Sequence, residues 1–319
     1  MSTAIFVAKR LLMAAVTALV GSFAMYAAMY YSPTSALGLL LGGRGATPAE
    51  IAHLTKQYHL DEGLFPQYYH WVTRLLHGDL GRSLLYRDQV ANLLSGRILT
   101  TAFLVTYAGV IIVVFGVSLG LLAAMRPGRT DSVLRVVFST AIAMPSFVVA
   151  SLLILLFGVT WSIFPVYGSG SGLFGMLYHL TLPAIALALA NIAYVGKIVR
   201  SCIVKTKSEE YVWAARARGL PESVVTNRHI IRNGLLPVIT VIGITIAGLI
   251  AGAVVVETAF GLNGIGSLLT AAISQKDFAV AQVISLMLII TFVLMSTMVD
   301  ILYGLVDPLV AKGLRGGDR

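Results

Sequence analysis

Five stretches of the chain carry no Asp, Glu, Lys or Arg: 11–43, 98–125, 136–196, 233–256 and 278–299. A helix crossing a bilayer needs about 20 apolar residues, so each stretch is long enough to span. The run 136–196 is too long for a single span. Phe164-Pro165-Val166-Tyr167-Gly168-Ser169-Gly170-Ser171-Gly172 interrupts it with turn-forming residues. Division there predicts six membrane helices, near 10–31, 99–125, 136–160, 179–200, 235–257 and 279–305. The expected fold class is all-α integral membrane with six transmembrane helices. The expected organisation is 1–31, holding the cytoplasmic N-terminus and the first span; an extracytoplasmic helical insertion, 32–98; and a transmembrane body, 99–319, with spans two to six.

The insertion carries its own helix signals. Thr47-Pro48-Ala49-Glu50 places a capping Thr before a proline, with Glu at the third position, and Ile51, Leu54 and Tyr58 follow at helical spacing. Leu64 through Leu76 predicts a second, amphipathic helix. Phe65, Tyr68, Tyr69, Val72 and Leu75 are its apolar residues, and Gln67, His70, Thr73 and Arg74 its polar ones. Such a helix lies on the membrane surface or packs on the bundle. Four of the six histidines fall in this region, His53, His59, His70 and His77. None is paired at the i, i+4 spacing that sets two ligands on one helical face, so solvated faces are expected and no metal site.

Composition agrees with the pattern. Hydrophobic residues make up 57% of the chain and charged residues 12%, with a mean hydropathy of +0.87. Soluble domains carry about 25% charged residues. With the N-terminus inside, the four cytoplasmic segments hold 16 of the 23 Lys and Arg residues, against 6 in 32–98 and 1 in 261–278. The excess of basic residues on one side predicts that both termini are cytoplasmic. A net charge of +9 then calls for no nucleic-acid partner, since most of it faces anionic lipid. The apolar run of 1–31 is longer than the core of a signal peptide, which is about 7–15 residues, so it is taken as the first span. The single cysteine, Cys202, excludes an intramolecular disulfide and a cysteine-based metal cluster, and is expected to pack or lie at the interface.

The longest cytoplasmic segment, 197–232, carries eight basic and three acidic residues. Within it Ser208 to Arg218 is rich in helix formers and stops at Gly219, with Pro221 just beyond. The short helix near 209–219 presents Ala and Arg. One reading is a charged connector. The other is a docking helix whose small residues allow close approach of another protein.

These residues resemble the permeases of binding-protein-dependent ABC importers, in the oligopeptide, dipeptide and nickel branch. Ala214-Ala215, Gly219 and Leu236-Pro237 match the cytoplasmic signature of that family. Trp213 stands where the wider family has Glu, and Asn263 where it usually has Pro. The resemblance extends to Tyr58-His59-Leu60-Asp61, Gly78-Asp79-Leu80-Gly81-Arg82-Ser83-Leu84, Pro145-Ser146-Phe147, His179-Leu180-Thr181-Leu182-Pro183, Glu257-Thr258-Ala259-Phe260, Gly264-Ile265-Gly266 and Asp307-Pro308.

The resemblance implies a type I ABC importer permease fold in the bacterial plasma membrane. It implies a second homologous permease subunit, two cytoplasmic ATPase subunits and an extracytoplasmic solute-binding protein as partners. It also implies that the chain is not an enzyme and has no cofactor of its own, ATP and Mg being bound by the partner subunits. No G-x-x-x-x-G-K-[ST] loop is present to hold a nucleotide phosphate. The residues implied in ATPase docking are Tyr211, Trp213, Ala214, Ala215, Arg216, Arg218, Gly219 and Leu220. Di- and oligopeptides are the implied cargo, with nickel or other metal chelates, haem and glutathione as alternatives.

Candidates for the pathway or its gate come from polar residues in the spans: Glu257, Asn191 and Asp300. Each has a structural alternative, in an interfacial contact, interhelical packing or a basic partner. An ion-coupled secondary transporter would want more ionisable residues within the spans than these. A membrane enzyme would want a metal-ligand motif or a nucleophile elbow, and the sequence has neither.

Overall fold

The computed structural model describes residues 3–31, 55, 61–83 and 85–306. The expected helix start at Thr47 and the residues Ile51, Leu54, Tyr58, His53 and His59 lie outside the described residues. So do Asp307-Pro308 and the C-terminal tail.

The described residues form α1 (Thr3–Tyr30), α2 (Leu64–Leu76), α3 (Val90–Leu94), α4 (97–125), α5 (Arg129–Ala143) and α6 (Ser146–Thr160). They continue with α7 (Gly172–Lys207), α8 (Glu210–Ala217), α9 (222–234), α10 (Leu236–Ala259), α11 (Ile265–Ser274) and α12 (Phe278–Val306). Among the described residues five helices are long and apolar enough to cross a membrane, or six if the bent pair of α5 and α6 is one span.

The third expected span, 136–160, is bent at Pro145. α5 and α6 meet at 101° across Met144 and Pro145. Pro145 has no N–H for the helix ladder, and it drives the preceding residue out of the helical region. Met144 accordingly adopts φ −83° and ψ 119°. Hydropathy alone cannot detect the break, because both limbs are apolar.

The fourth span is longer than expected. α7 has 36 residues, about 54 Å at 1.5 Å per residue, against about 30 Å of hydrocarbon. Part of it must lie beyond the lipid, and its end carries Lys197, Arg200, Lys205 and Lys207. Pro183 is buried within the continuous helix and does not begin it.

α7 is the centre of the bundle and packs on α4, α5, α6, α9 and α10. Small residues allow these contacts. A Cβ at Gly120 of α4 would run into the Gly196 carbonyl and Val199 of α7, and one at Gly196 into the Phe138 ring of α5. Gly116 lies against Val195 in the same way. In α10, Gly252 meets Leu187, whereas among the described residues nothing lies within 4 Å of a Cβ placed at Gly248. Gly120→Val is expected to overpack the α4–α7 contact and lower stability by about 1–3 kcal/mol. The midpoint of unfolding in a mixed-micelle titration measures this.

Polar links hold one end of the bundle. Arg200 of α7 makes a two-pronged ion pair with Asp131 of α5, its Nη2 donating at 2.7 Å. Lys207 Nζ donates to the Ala124 carbonyl at 2.7 Å. At the opposite end a separate apolar cluster joins α3, α11 and α12 through Val90, Leu94, Leu268, Ala272, Val280 and Ile284. There the buried Ser83 hydroxyl donates to Asp277, whose other carboxylate oxygen accepts from the Val280 N–H at the start of α12. α1 lies at the periphery and touches α12 and α2.

Candidate functional site

Two constellations sit at opposite ends of the bundle. The first is α8, at the end that holds the Asp131–Arg200 pair. Its start lies three residues beyond the end of α7, and its last residue, Ala217, is followed by Arg218 and Gly219. Gly219 has φ +75°, the left-handed conformation that ends helices and that a β-branched residue resists. Val212 and Ala215 are buried in the main core, which also holds Val225 and Ile230 of α9.

This burial fixes the outward face of α8 and corrects one expectation. Ala214 and Ala215 were both expected to allow a partner's approach, but Ala215 points into its own protein. At 3.6 residues per turn, the apex opposite Val212 and Ala215 falls on Glu210, Ala214 and Ala217, all exposed. Tyr211 and Arg218 flank it on one side. Trp213, 63% exposed, flanks it on the other. Leu220 is exposed just past the turn.

Arg216, implied in ATPase docking, is tied within the chain. Its Nη2 donates to Glu222 Oε1 at 2.7 Å and its Nε to Oε2 at 3.1 Å, and its guanidinium lies 6.0 Å from the centre of the Trp213 ring. The pair closes the Gly219–Pro221 turn between α8 and α9. The hydrogen bond from Arg216 holds the Glu222 carboxyl below its ordinary value. A depressed carboxylate contributes stability above its unfolded pKa, and that contribution is lost as the pH falls through the lowered folded value. The turn is therefore fully braced at neutral pH. Glu222 carries no sequence signal for this role beyond lying just past a helix-ending Gly-Leu-Pro.

The second constellation surrounds Glu257, near the end of α10. The expected pathway-facing carboxylate is enclosed, with an exposure of 0%. Its Oε1 accepts from the Thr101 hydroxyl of α4 at 2.5 Å. Its Oε2 accepts from the backbone N–H groups of Gly266 and Ser267 at 2.7 and 3.1 Å. Thr101 Oγ1 in turn accepts from the Ile265 N–H at 2.9 Å. The first three N–H groups of α11, which a helix leaves without internal partners, are thus all taken. A negative charge is also favoured at this position by the helix dipole. The carboxylate reaches them because Gly264 and Gly266 carry no Cβ: at Gly264 one would collide with Glu257 itself, at Gly266 with the backbone of Val254. One side chain thereby joins α4, α10 and α11.

Asn191 donates from Nδ2 to the Leu187 carbonyl one turn earlier at 3.0 Å, satisfying itself within α7. Asp300 belongs to α12, and its side chain lies outside the described residues. Cys202 is half-buried against the main core.

Two family models cover the chain. Residues 116–312 match the binding-protein-dependent transport system inner membrane component, and residues 3–104 match the N-terminal portion of the same systems' membrane component. The oligopeptide transport system permease protein OppB of Salmonella typhimurium is 33% identical over 84% of this chain and 87% of its own length. The dipeptide transport system permease protein DppB of Lactococcus lactis is 34% identical over 83% and 86%. The glutathione transport system permease protein GsiC of Salmonella choleraesuis is 31% identical over 96% and 98%. A crystal structure of an amino acid ABC transporter superposes with a TM-score of 0.55 at 17% identity, over 67% of this chain and 94% of that one, and shows the type I permease fold. Its helices, its outward small-residue face and these matches agree: the chain belongs to the family of binding-protein-dependent transport system inner membrane components.

Proposed function

We propose that this chain is one of two permease subunits that together form the pathway for di- and oligopeptides in an ATP-driven importer. The observation that carries the reading is α8: a face with two alanines and Glu210 at its start, flanked by aromatic and basic side chains, on the most basic segment of a membrane-spanning bundle. A cytoplasmic ATPase subunit seats on Ala214 and Ala217, binds ATP and Mg itself, and transmits closure to the bundle through α8. A solute-binding protein delivers the cargo at the end where the Glu257 clamp lies. The excess of basic residues on one side supports both termini in the cytoplasm and the insertion 32–98 outside. Membership of the family disfavours the ion-coupled alternative.

Similarity to OppB and DppB supports peptides as cargo. A second reading, glutathione, is favoured by the alignment with GsiC over 96% of the chain. The test is uptake into proteoliposomes holding the complete importer, with ATP inside or absent. Uptake of labelled di- or oligopeptide that requires ATP and the solute-binding protein is expected. Uptake of glutathione alone would replace the cargo, and uptake that follows an ion gradient without ATP would overturn the mechanism.

The Arg216–Glu222 brace yields a separate expectation. Arg216→Ala and Glu222→Ala each loosen the same turn, so the double variant should weaken ATPase attachment no more than either single one. Additive losses in a pull-down titration would show that the two residues act independently.

A further inference from the structure

We infer that α2 is an interfacial membrane helix, embedded in one leaflet at the boundary between headgroups and acyl chains, and not a helix standing in water above the bundle. The inference holds for either orientation of the bundle.

The first argument is depth. α2 packs across α1 within the apolar span of that helix, Ala8–Tyr30. The Phe23 ring stacks on Phe65 at 5.5 Å and meets Tyr68 edge-on at 5.2 Å. Tyr26 contacts Tyr68 and Trp71, both at 5.6 Å. At 1.5 Å per residue, Phe23 and Tyr26 lie about 10 and 6 Å from the Tyr30 end of α1. Interfacial helices bury their apolar faces by about 5–10 Å into this boundary. Tyr26, Tyr30, Tyr31, Tyr68 and Trp71 form the kind of aromatic belt found there.

The second argument is the division of the α2 surface. At 3.6 residues per turn its side chains fall into three arcs with centres about 120° apart. Tyr68, Trp71 and Leu75 turn to α1 and to the cluster of α3, α11 and α12. His70, Thr73, Arg74 and His77 form a polar arc. The third arc is apolar and, among the described residues, largely uncovered: Phe65 is 72% exposed, Tyr69 68% and Leu76 82%, with Val72 between them. A helix in water would gain nothing from that stripe, whereas the acyl chains beside α1 are continuous with it. Leu12, Val16, Leu19 and Val20 expose the same kind of surface on α1.

The third argument is that the polar atoms between α2 and α1 have partners, as a low-dielectric setting requires. The Tyr68 hydroxyl lies 2.8 Å from Ser22 Oγ and 3.3 Å from the Leu19 carbonyl. The buried Gln67 side chain donates to the Glu62 carbonyl at 3.0 Å and accepts from Tyr26 at 3.4 Å.

The test uses single-cysteine variants of the full chain in a Cys202→Ala background, spin-labelled and reconstituted in phosphatidylethanolamine–phosphatidylglycerol liposomes. Collision with oxygen, which partitions into lipid, is compared with collision with a water-soluble nickel chelate. Labels on Phe65→Cys, Tyr69→Cys and Leu76→Cys should show an oxygen-to-nickel ratio several-fold above those on His70→Cys and Arg74→Cys. Nickel accessibility at 65, 69 and 76 equal to that at 70 and 74 would place the helix in water and overturn the inference. Low accessibility to both reagents at 65, 69 and 76 would also overturn it, because a protein surface would then cover the stripe.

Discussion

Glu257→Ala is expected to lower stability by about 3–5 kcal/mol, more than any other single change considered for this chain. Three donors, two of them buried and one part-buried, lose their acceptor, each buried one at about 1–3 kcal/mol and not additively. They are the Thr101 hydroxyl and the Gly266 and Ser267 N–H groups. Glu257→Gln keeps one oxygen but turns an NH2 group toward donors, so it should fall between Ala and wild type. Thr101→Val removes a donor to the carboxylate and an acceptor for Ile265 together, and combined with Glu257→Ala it should add little. Gly266→Ala should reproduce part of the loss, because its methyl would press on the Val254 backbone. Midpoints of unfolding in mixed micelles give the ranking. A Glu257→Ala midpoint within error of wild type would show that α11 is held by its apolar contacts alone. ATPase attachment should survive all of these changes, since α8 lies at the other end of the bundle.

Much of this architecture is legible in the order of charged and uncharged residues. Charge-free runs locate α1, α4, α7, α10 and α12, because charged side chains are costly at bilayer depth. The bend at Met144 and Pro145 is not legible in hydropathy, since breaking an apolar run in two changes nothing in its composition. The end of α7 is missed for a related reason: Lys197 and Arg200 mark where the lipid stops, not where the helix does.

The two candidate sites differ in the same way. Gly219 and Pro221 announce the end of α8, a local event decided by backbone conformation. Which alanine faces outward depends on the body to which α8 is fastened, and that is set by Val225 and Ile230 of the next helix. Glu257 is conspicuous as an ionisable residue near a span, but its partner Thr101 is 156 residues away and its other acceptor duty is to backbone. Only the glycines at 264 and 266 hint that a side chain must come close to the start of α11.

Ala214→Leu and Ala217→Leu are expected to detach the ATPase subunits while leaving the permease folded. Both positions are exposed, and surface substitutions of this kind usually change stability by less than about 0.5 kcal/mol. Against a fitted partner the added bulk overpacks the contact by about 1–3 kcal/mol, a loss of affinity of roughly 5- to 150-fold. Ala215→Leu should do the reverse at first hand: it crowds the core shared with Val225 and Ile230, so the permease itself unfolds at a lower midpoint. Gly219→Val strains the left-handed turn by about 1–3 kcal/mol and re-aims α8 against α9, so coupling should fail even where some attachment remains. The measurements are co-purification of the ATPase subunits, their stimulation by loaded solute-binding protein, and the permease's own unfolding midpoint. Wild-type attachment in both Ala214→Leu and Ala217→Leu would reduce α8 to a charged connector. Loss of attachment in Ala215→Leu with an unchanged midpoint would turn the helix over, putting Ala215 rather than Ala217 against the partner.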